Sequence, residues 1–182
     1  NSKNSFSQFL SSSETFDLVK KATDICEKAL KSNQKIILCG NGGSAGNAMH
    51  LANDFIYGAG VNYGKGLNIE ALTSNSSVLT CLANDIGYEN IFSQQLKAKG
   101  KKKDLLIVLS GSGNSKNVIH ALNYANDQDV DSVVLCGFDG GDAASIGRFV
   151  YHVPIHDMEV IEDFHLMICH AIKRFLMKKY SG

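Results

Sequence analysis

Apolar residues recur along this chain in two alternating rhythms. Over residues 14–32, Phe16, Val19, Ala22, Ile25, Cys26 and Leu30 fall at spacings of three and four, the period of a helix with one buried face. Ser13 stands where an N-cap belongs. A short continuous apolar run follows at 35–39, then a glycine loop, then helical spacing again over 45–57 through Ala48, Met49, Leu51, Ala52 and Phe55. The same alternation predicts strands at 67–72, 104–110, 131–136 and 149–153. It predicts helices at 76–84, 89–99, 114–128 and 157–179, the last capped by Asp157 and ending in Lys173, Arg174, Lys178 and Lys179, which suit the negative end of a helix dipole. The strands are unbroken apolar runs rather than alternating ones, as expected when both faces of a sheet are covered. The pattern therefore predicts an α/β three-layer sandwich: a five-stranded parallel sheet of flavodoxin-like topology with helices on both faces. Residues 1–182 read as one domain with an N-terminal helical extension over 1–32, and Pro154 is the only proline to interrupt it.

Composition narrows the function classes. The chain has 182 residues, 44% hydrophobic and 20% charged, with 18 basic and 18 acidic side chains and zero formal net charge. Nothing in that balance points to nucleic acid or a membrane surface. The basic run Lys99, Lys101, Lys102 and Lys103 reads as a solvated turn before a strand. No apolar run approaches the ~20 residues of a membrane span, and the Ser-rich start over residues 1–13 does not resemble a signal peptide. The five cysteines are scattered without a CxxC pair, and Cys39 and Cys136 lie in apolar strands. A reducing, cytoplasmic setting with thiols acting as small hydrophobes is expected.

Candidate chemistry begins at two strand ends. Gly40-Asn-Gly-Gly-Ser44 and Ser110-Gly-Ser-Gly-Asn-Ser115 each separate a predicted strand from a predicted helix. In open α/β sheets ligands bind at the carboxyl ends of strands. Glycines admit close backbone approach, and free N–H groups at a helix start favour an anion. Ser110, Ser112 and Ser115 add hydroxyl donors. Either loop alone is equally a tight turn with N-capping serines. Neither is a Walker loop or a dinucleotide fingerprint, so no nucleotide cofactor is expected. Together they favour a phosphorylated small ligand.

Two helices carry the titratable groups. His50 and Asp54 are four apart and share a face, placed for one divalent ion, for acid–base work, or as an ordinary polar pair. The C-terminal helix holds Glu159, Glu162, Asp163, His165 and His170. Glu162 and His165 are an i, i+3 pair of metal-binding type. Glu162 and His170 are eight apart, roughly 12 Å of helix rise, which is long for one ion.

The glycine loop with Ala48-Met-His50, then Asn84-Asp85-x-Gly87, then the serine loop, resemble in order the landmarks of the phosphoheptose isomerases, members of the sugar isomerase (SIS) superfamily. The likeness runs from about Lys35 to the C-terminal helix. It implies that Ser110, Gly111, Ser112 and Ser115 hold the substrate phosphate, and that Asn41, Gly42, Gly43, Ser44, Asn84, Asp85 and Glu162 line the substrate. It implies zinc on His50, Asp54, Glu162 and His170, and a homotetramer with sites at subunit interfaces. The family usually has Glu at the Asp54 position and often Gln at the Glu162 position, so this chain departs at both. The activity implied is a ketose–aldose isomerisation of sedoheptulose 7-phosphate through an enediol, for surface-polysaccharide heptose. Asp54 or Glu162 would take the carbon-bound proton, and His170 the hydroxyl proton. A sugar-phosphate sensor, or an isomerase of another sugar phosphate, is the alternative.

Overall fold

A computed structural model describes residues 13–59 and 67–180. Residues 1–12, most of the polar start and part of the helical extension, lie outside the described residues. Helix α1 spans Ser13–Lys31 and is already helical at Ser13, so the chain that would precede a cap there is not described. There follow β1 (Ile36–Gly40), α2 (Gly43–Asn53), a π-helical turn (Asp54–Ala59) and β2 (Ile69–Ala71). Next come α3 (Ser76–Ile86), a 3-10 turn (Tyr88–Asn90), α4 (Ile91–Lys99), β3 (Leu105–Ser110) and α5 (Lys116–Asp127). The chain ends with β4 (Asp131–Cys136), α6 (Gly141–Ile146), β5 (Phe149–His152) and α7 (Met158–Tyr180).

The five strands are all parallel, in the order β2-β1-β3-β4-β5. Successive side chains leave a strand on opposite faces. Ile36 and Leu38 of β1, Leu105, Ile107 and Leu109 of β3, and Val133 and Leu135 of β4 therefore pack into one core with α1, α2 and α7. Ile37, Cys39, Leu106, Val108, Val134 and Cys136 pack into the other, with α4, α5 and α6. The expected three layers are present. The order reverses between β1 and β3, where Gly40 pairs with Leu109, so the carboxyl ends of these neighbouring strands open a crevice.

The structure refines the expected elements in three places. The helix expected over 45–57 is an α-helix only to Asn53 and widens into a π turn from Asp54. Helix α3 reaches Ile86, so Asn84 and Asp85 sit in its last turn. The short helix α6 was not expected, since six residues carry no readable period. Tertiary hydrogen bonds hold it instead: Ala143 N–H donates to Gly113 O at 2.9 Å and Asp142 N–H to Asn114 Oδ1 at 3.0 Å. Asp157 caps α7 as expected, its Oδ1 accepting from Val160 N–H at 3.2 Å. The basic run is engaged in ion pairs, Lys99 with Glu70 and Lys102 and Lys103 with Asp129. Burial pushes the Cys26 and Cys39 thiols up to about 12. Among the described residues, no helix is long and apolar enough to cross a membrane.

Candidate active site

The crevice between β1 and β3 holds a pocket of about 230 Å³. Asn41, Gly42, Gly43 and Ser44 line it from the first loop, Ser110, Gly111, Ser112 and Ser115 from the second, and Met158 and Glu162 from α7. Helices α2 and α5 begin at its rim. Their first N–H groups lack intrahelical partners and give the rim a positive potential. Ser115 stands at the N-cap of α5 without making a side-chain cap bond, so its hydroxyl is free of that duty.

The second loop is held rigidly. Gly113 has φ +67, and a Cβ there would strike the Gly140 carbonyl of the loop after β4. Gly113 N–H donates to Ser110 Oγ at 3.2 Å, and Asn114 N–H to Ser112 Oγ at 3.2 Å. The first loop is fixed through Asn41. Its side chain exchanges two amide hydrogen bonds of 2.9 Å with Asn117, which is 2% exposed, and its Oδ1 also accepts from the Tyr88 hydroxyl at 2.9 Å. At Gly43 a Cβ would overlap the Glu162 carboxylate, so the glycine is what lets α7 bring that acid against the loop.

A second cluster lies further along the same two helices. Helices α2 and α7 run side by side in parallel register. Asn47 Nδ2 donates to Glu162 O at 3.1 Å, His50 meets His170 120 residues on, and Asp54 meets Lys173 119 residues on. His50 Nε2 and His170 Nε2 are 3.0 Å apart, and Asp54 Oδ2 is 3.9 Å from the first and 3.4 Å from the second. Lys173 Nζ donates to the same Asp54 Oδ2 at 2.7 Å. Partial burial raises the Asp54 pKa, but the Lys173 hydrogen bond and charge, with His50 and His170, outweigh it and hold the carboxyl below its ordinary range. Burial lowers the His170 pKa, against the pull of Asp54.

These three donors fit a small divalent ion. Zinc bonds of about 2.0–2.2 Å at tetrahedral angles put neighbouring donors roughly 3.3–3.5 Å apart, close to the spacings of 3.0, 3.4 and 3.9 Å seen here. Glu162 stands outside the group of mutually close donors formed by His50, Asp54 and His170, and its carboxylate faces the phosphate-type pocket. Its eight-residue separation from His170 is the physical reason. His165, the other partner considered for Glu162, is fully buried in the core. No well-formed hydrogen bond reaches either ring nitrogen, although the Cys136 carbonyl is close enough to favour the protonated ring slightly. Burial outweighs it and lowers the His165 pKa to about 4.

Asn84 and Asp85 are exposed on α3 and do not line the pocket; Asn84 Nδ2 donates to Asp85 Oδ1 at 2.9 Å, and Cys81 approaches Asp85 Oδ2 at 3.4 Å. Sequence reasoning missed Asn117, Tyr88 and Lys173. Asn117 had a faint signal, a polar side chain on the otherwise apolar face of α5. By sequence Lys173 reads only as a dipole complement at a helix end.

The fold and the pocket define an α/β protein with a phosphate-type pocket at a strand-order reversal. Comparison with known proteins makes this particular. The SIS domain family matches residues 3–137. Phosphoheptose isomerases of Akkermansia muciniphila and Aliarcobacter butzleri are 36% and 39% identical to the chain, each over 90% of it and 86% of the relative. The solved phosphoheptose isomerase of Neisseria gonorrhoeae superposes with a TM-score of 0.83 at 30% identity, over 96% of this chain and 90% of that one. The chain belongs to the phosphoheptose isomerase family of SIS-domain enzymes.

Proposed function

We propose that this chain interconverts sedoheptulose 7-phosphate and a D-glycero-D-manno-heptose 7-phosphate, an aldose–ketose isomerisation through an enediol. The observation that carries the reading is the pairing of two sites along one helix pair. An anion pocket lies at the start of α2, and a carboxylate–imidazole cluster lies roughly 9 Å of helix rise beyond Ser44. A long open-chain sugar phosphate has its charge at one end and its carbonyl at the other, and suits that separation.

Ser110, Ser112 and Ser115, with the N–H groups at the start of α5, hold the phosphate. The loop from Asn41 to Ser44 holds the sugar, with Glu162 accepting from its hydroxyls. Asp54 takes the carbon-bound proton and returns it one carbon over, while the neighbouring His170 moves the hydroxyl proton. An imidazole with a lowered pKa is neutral near pH 7 and ready to accept. Glu162 is the second candidate base: it forms no ion pair with another described residue. His50, Asp54 and His170 would hold zinc, which would supply Lewis-acid polarisation to the sugar; proton transfer at His170 Nε2 belongs to the metal-free protein, because the ion would take that lone pair.

The working form is a cytoplasmic homotetramer that supplies heptose for surface polysaccharide. Phe16, Met167 and Phe175 support an interface on α1 and α7, being 55%, 38% and 38% exposed. Asn84 and Asp85 then contribute from a neighbouring copy. Light scattering giving a monomeric mass would refute the assembly.

The test is turnover of sedoheptulose 7-phosphate by metal-stripped protein, before and after zinc. Turnover in either state supports the isomerase. No turnover in both states contradicts it. Asp54→Asn and Glu162→Gln assign the base: the variant that loses turnover while still binding substrate has lost it.

A further inference from the structure

Lys173 is unexplained by the reaction, yet it reaches into the cluster. Its ammonium donates to Asp54 Oδ2 at 2.7 Å, and both side chains are less than one-fifth exposed, at 19% and 17%. That oxygen is the one nearest both imidazoles, 3.4 Å from His170 Nε2 and 3.9 Å from His50 Nε2. The fold makes room for the lysine. A Cβ at Gly58, in the π turn after α2, would lie 2.8 Å from both Cε and Nζ of Lys173. The parallel register of α2 and α7 then carries Lys173 opposite Asp54 as it carries His170 opposite His50.

We propose that the Lys173 ammonium is an intramolecular stand-in for the divalent cation: it holds Asp54 Oδ2 in the metal-free protein and must be displaced when zinc binds. The proposal rests on the reading of His50, Asp54 and His170 as a metal site. A residue that supports a metal-binding carboxylate bonds it from the outer side. Lys173 instead holds the oxygen that faces the other two donors. The charge balance points the same way. Two imidazoles and one carboxylate present a dication with one negative charge, and a bound ammonium cancels it. An ammonium that stayed would also repel the incoming ion at short range. The flexible four-carbon stem lets it leave towards solvent without moving either helix. The three donors are already spaced for zinc, so binding requires lysine departure and a tautomer shift that removes the proton between the two imidazole Nε2 atoms. The chain thereby holds a charge-neutral cluster at low zinc and a metal-loaded one at high zinc.

The experiment measures zinc affinity, not activity, by competition with a chromophoric chelator at fixed pH. It uses metal-stripped wild type, Lys173→Met, Lys173→Gln and His50→Ala, with circular dichroism to confirm that each is folded. Both neutral lysine variants are expected to bind zinc at least tenfold more tightly than wild type, and His50→Ala more weakly. Equal or weaker binding by the lysine variants, with binding still dependent on His50, overturns the stand-in role and keeps the metal site. Failure of wild type and both lysine variants alike to bind zinc overturns the metal reading and the proposal with it.

Discussion

The two halves of the site are built on different physical terms. The phosphate-type pocket is made of backbone, two loops between adjacent strand ends and the starts of two helices. Its shape depends on glycines and is locked by neighbouring carbonyls and by the Asn41–Asn117 amide pair. The His50–Asp54–His170–Lys173 cluster is made of side chains from two helices about 120 residues apart in sequence. The pocket is preorganised, with hydroxyls and backbone N–H groups on its loops and Glu162 as the one charged side chain among its lining residues. The cluster is built of ionisable side chains, partly exposed and balanced by the Asp54–Lys173 ion pair, suited to moving protons or exchanging cations. On the proposed roles anchoring and chemistry are separable, and substitutions in one half should leave the other half working.

The sharpest way to break that division is at the cluster. Asp54→Asn or His170→Ala should lower kcat by about 10²–10⁴-fold, the usual worth of a positioned acid or base. KM should move little, because the phosphate anchor is intact; a matching rise in KM, read by steady-state kinetics, would show that the halves are not separate. Next in size is an effect on the frame shared by both. His165 has a pKa of about 4 in the fold against 6.5 unfolded. The unfolded chain therefore binds the extra proton first, and stability is full above about pH 6.5 and lost as pH falls towards 4. The loss is on the order of 3 kcal/mol from this residue. Urea titrations across that window should show it, and His165→Leu should flatten the slope. Gly113→Ala should follow, at roughly 1–3 kcal/mol, since the residue is held at positive φ against the Gly140 carbonyl. It should raise KM before it lowers kcat. The smallest effect is expected at Ser115→Ala, one of several hydroxyls proposed to hold the phosphate. The loss is about 1 kcal/mol, read as a several-fold rise in KM with kcat unchanged.

The difference between the halves also decides what was legible in the sequence. The pocket is local: each loop lies between a strand and a helix whose periods are readable, and the carboxyl-end rule places the loops together. Ser110, Ser112, Ser115 and the residues from Asn41 to Ser44 were all found that way. The cluster needs the register of two distant helices. His50 with Asp54 follows from helical spacing, but pairing them with His170 came only through family likeness. Spacing along one helix gave warning about Glu162, and the structure places that acid at the pocket instead. Lys173 escaped because its partner is on another element and its sequence position suits a helix end equally well. Helix α6 and the π turn escaped because hydrogen bonds to distant segments hold the first, and the second shares its apolar pattern with an α-helix.

In the proposed reaction one chain both anchors a sugar phosphate and transfers a proton between its adjacent carbons. The most direct measurement is NMR of sedoheptulose 7-phosphate incubated with the protein in deuterated water, with zinc present. The expected product is an aldose heptose 7-phosphate, with deuterium on the carbon next to the carbonyl wherever the proton on the base exchanges with solvent before its return, formed about 10²–10⁴-fold more slowly by Asp54→Asn. Recovery of the ketose unchanged, with and without zinc, would contradict it.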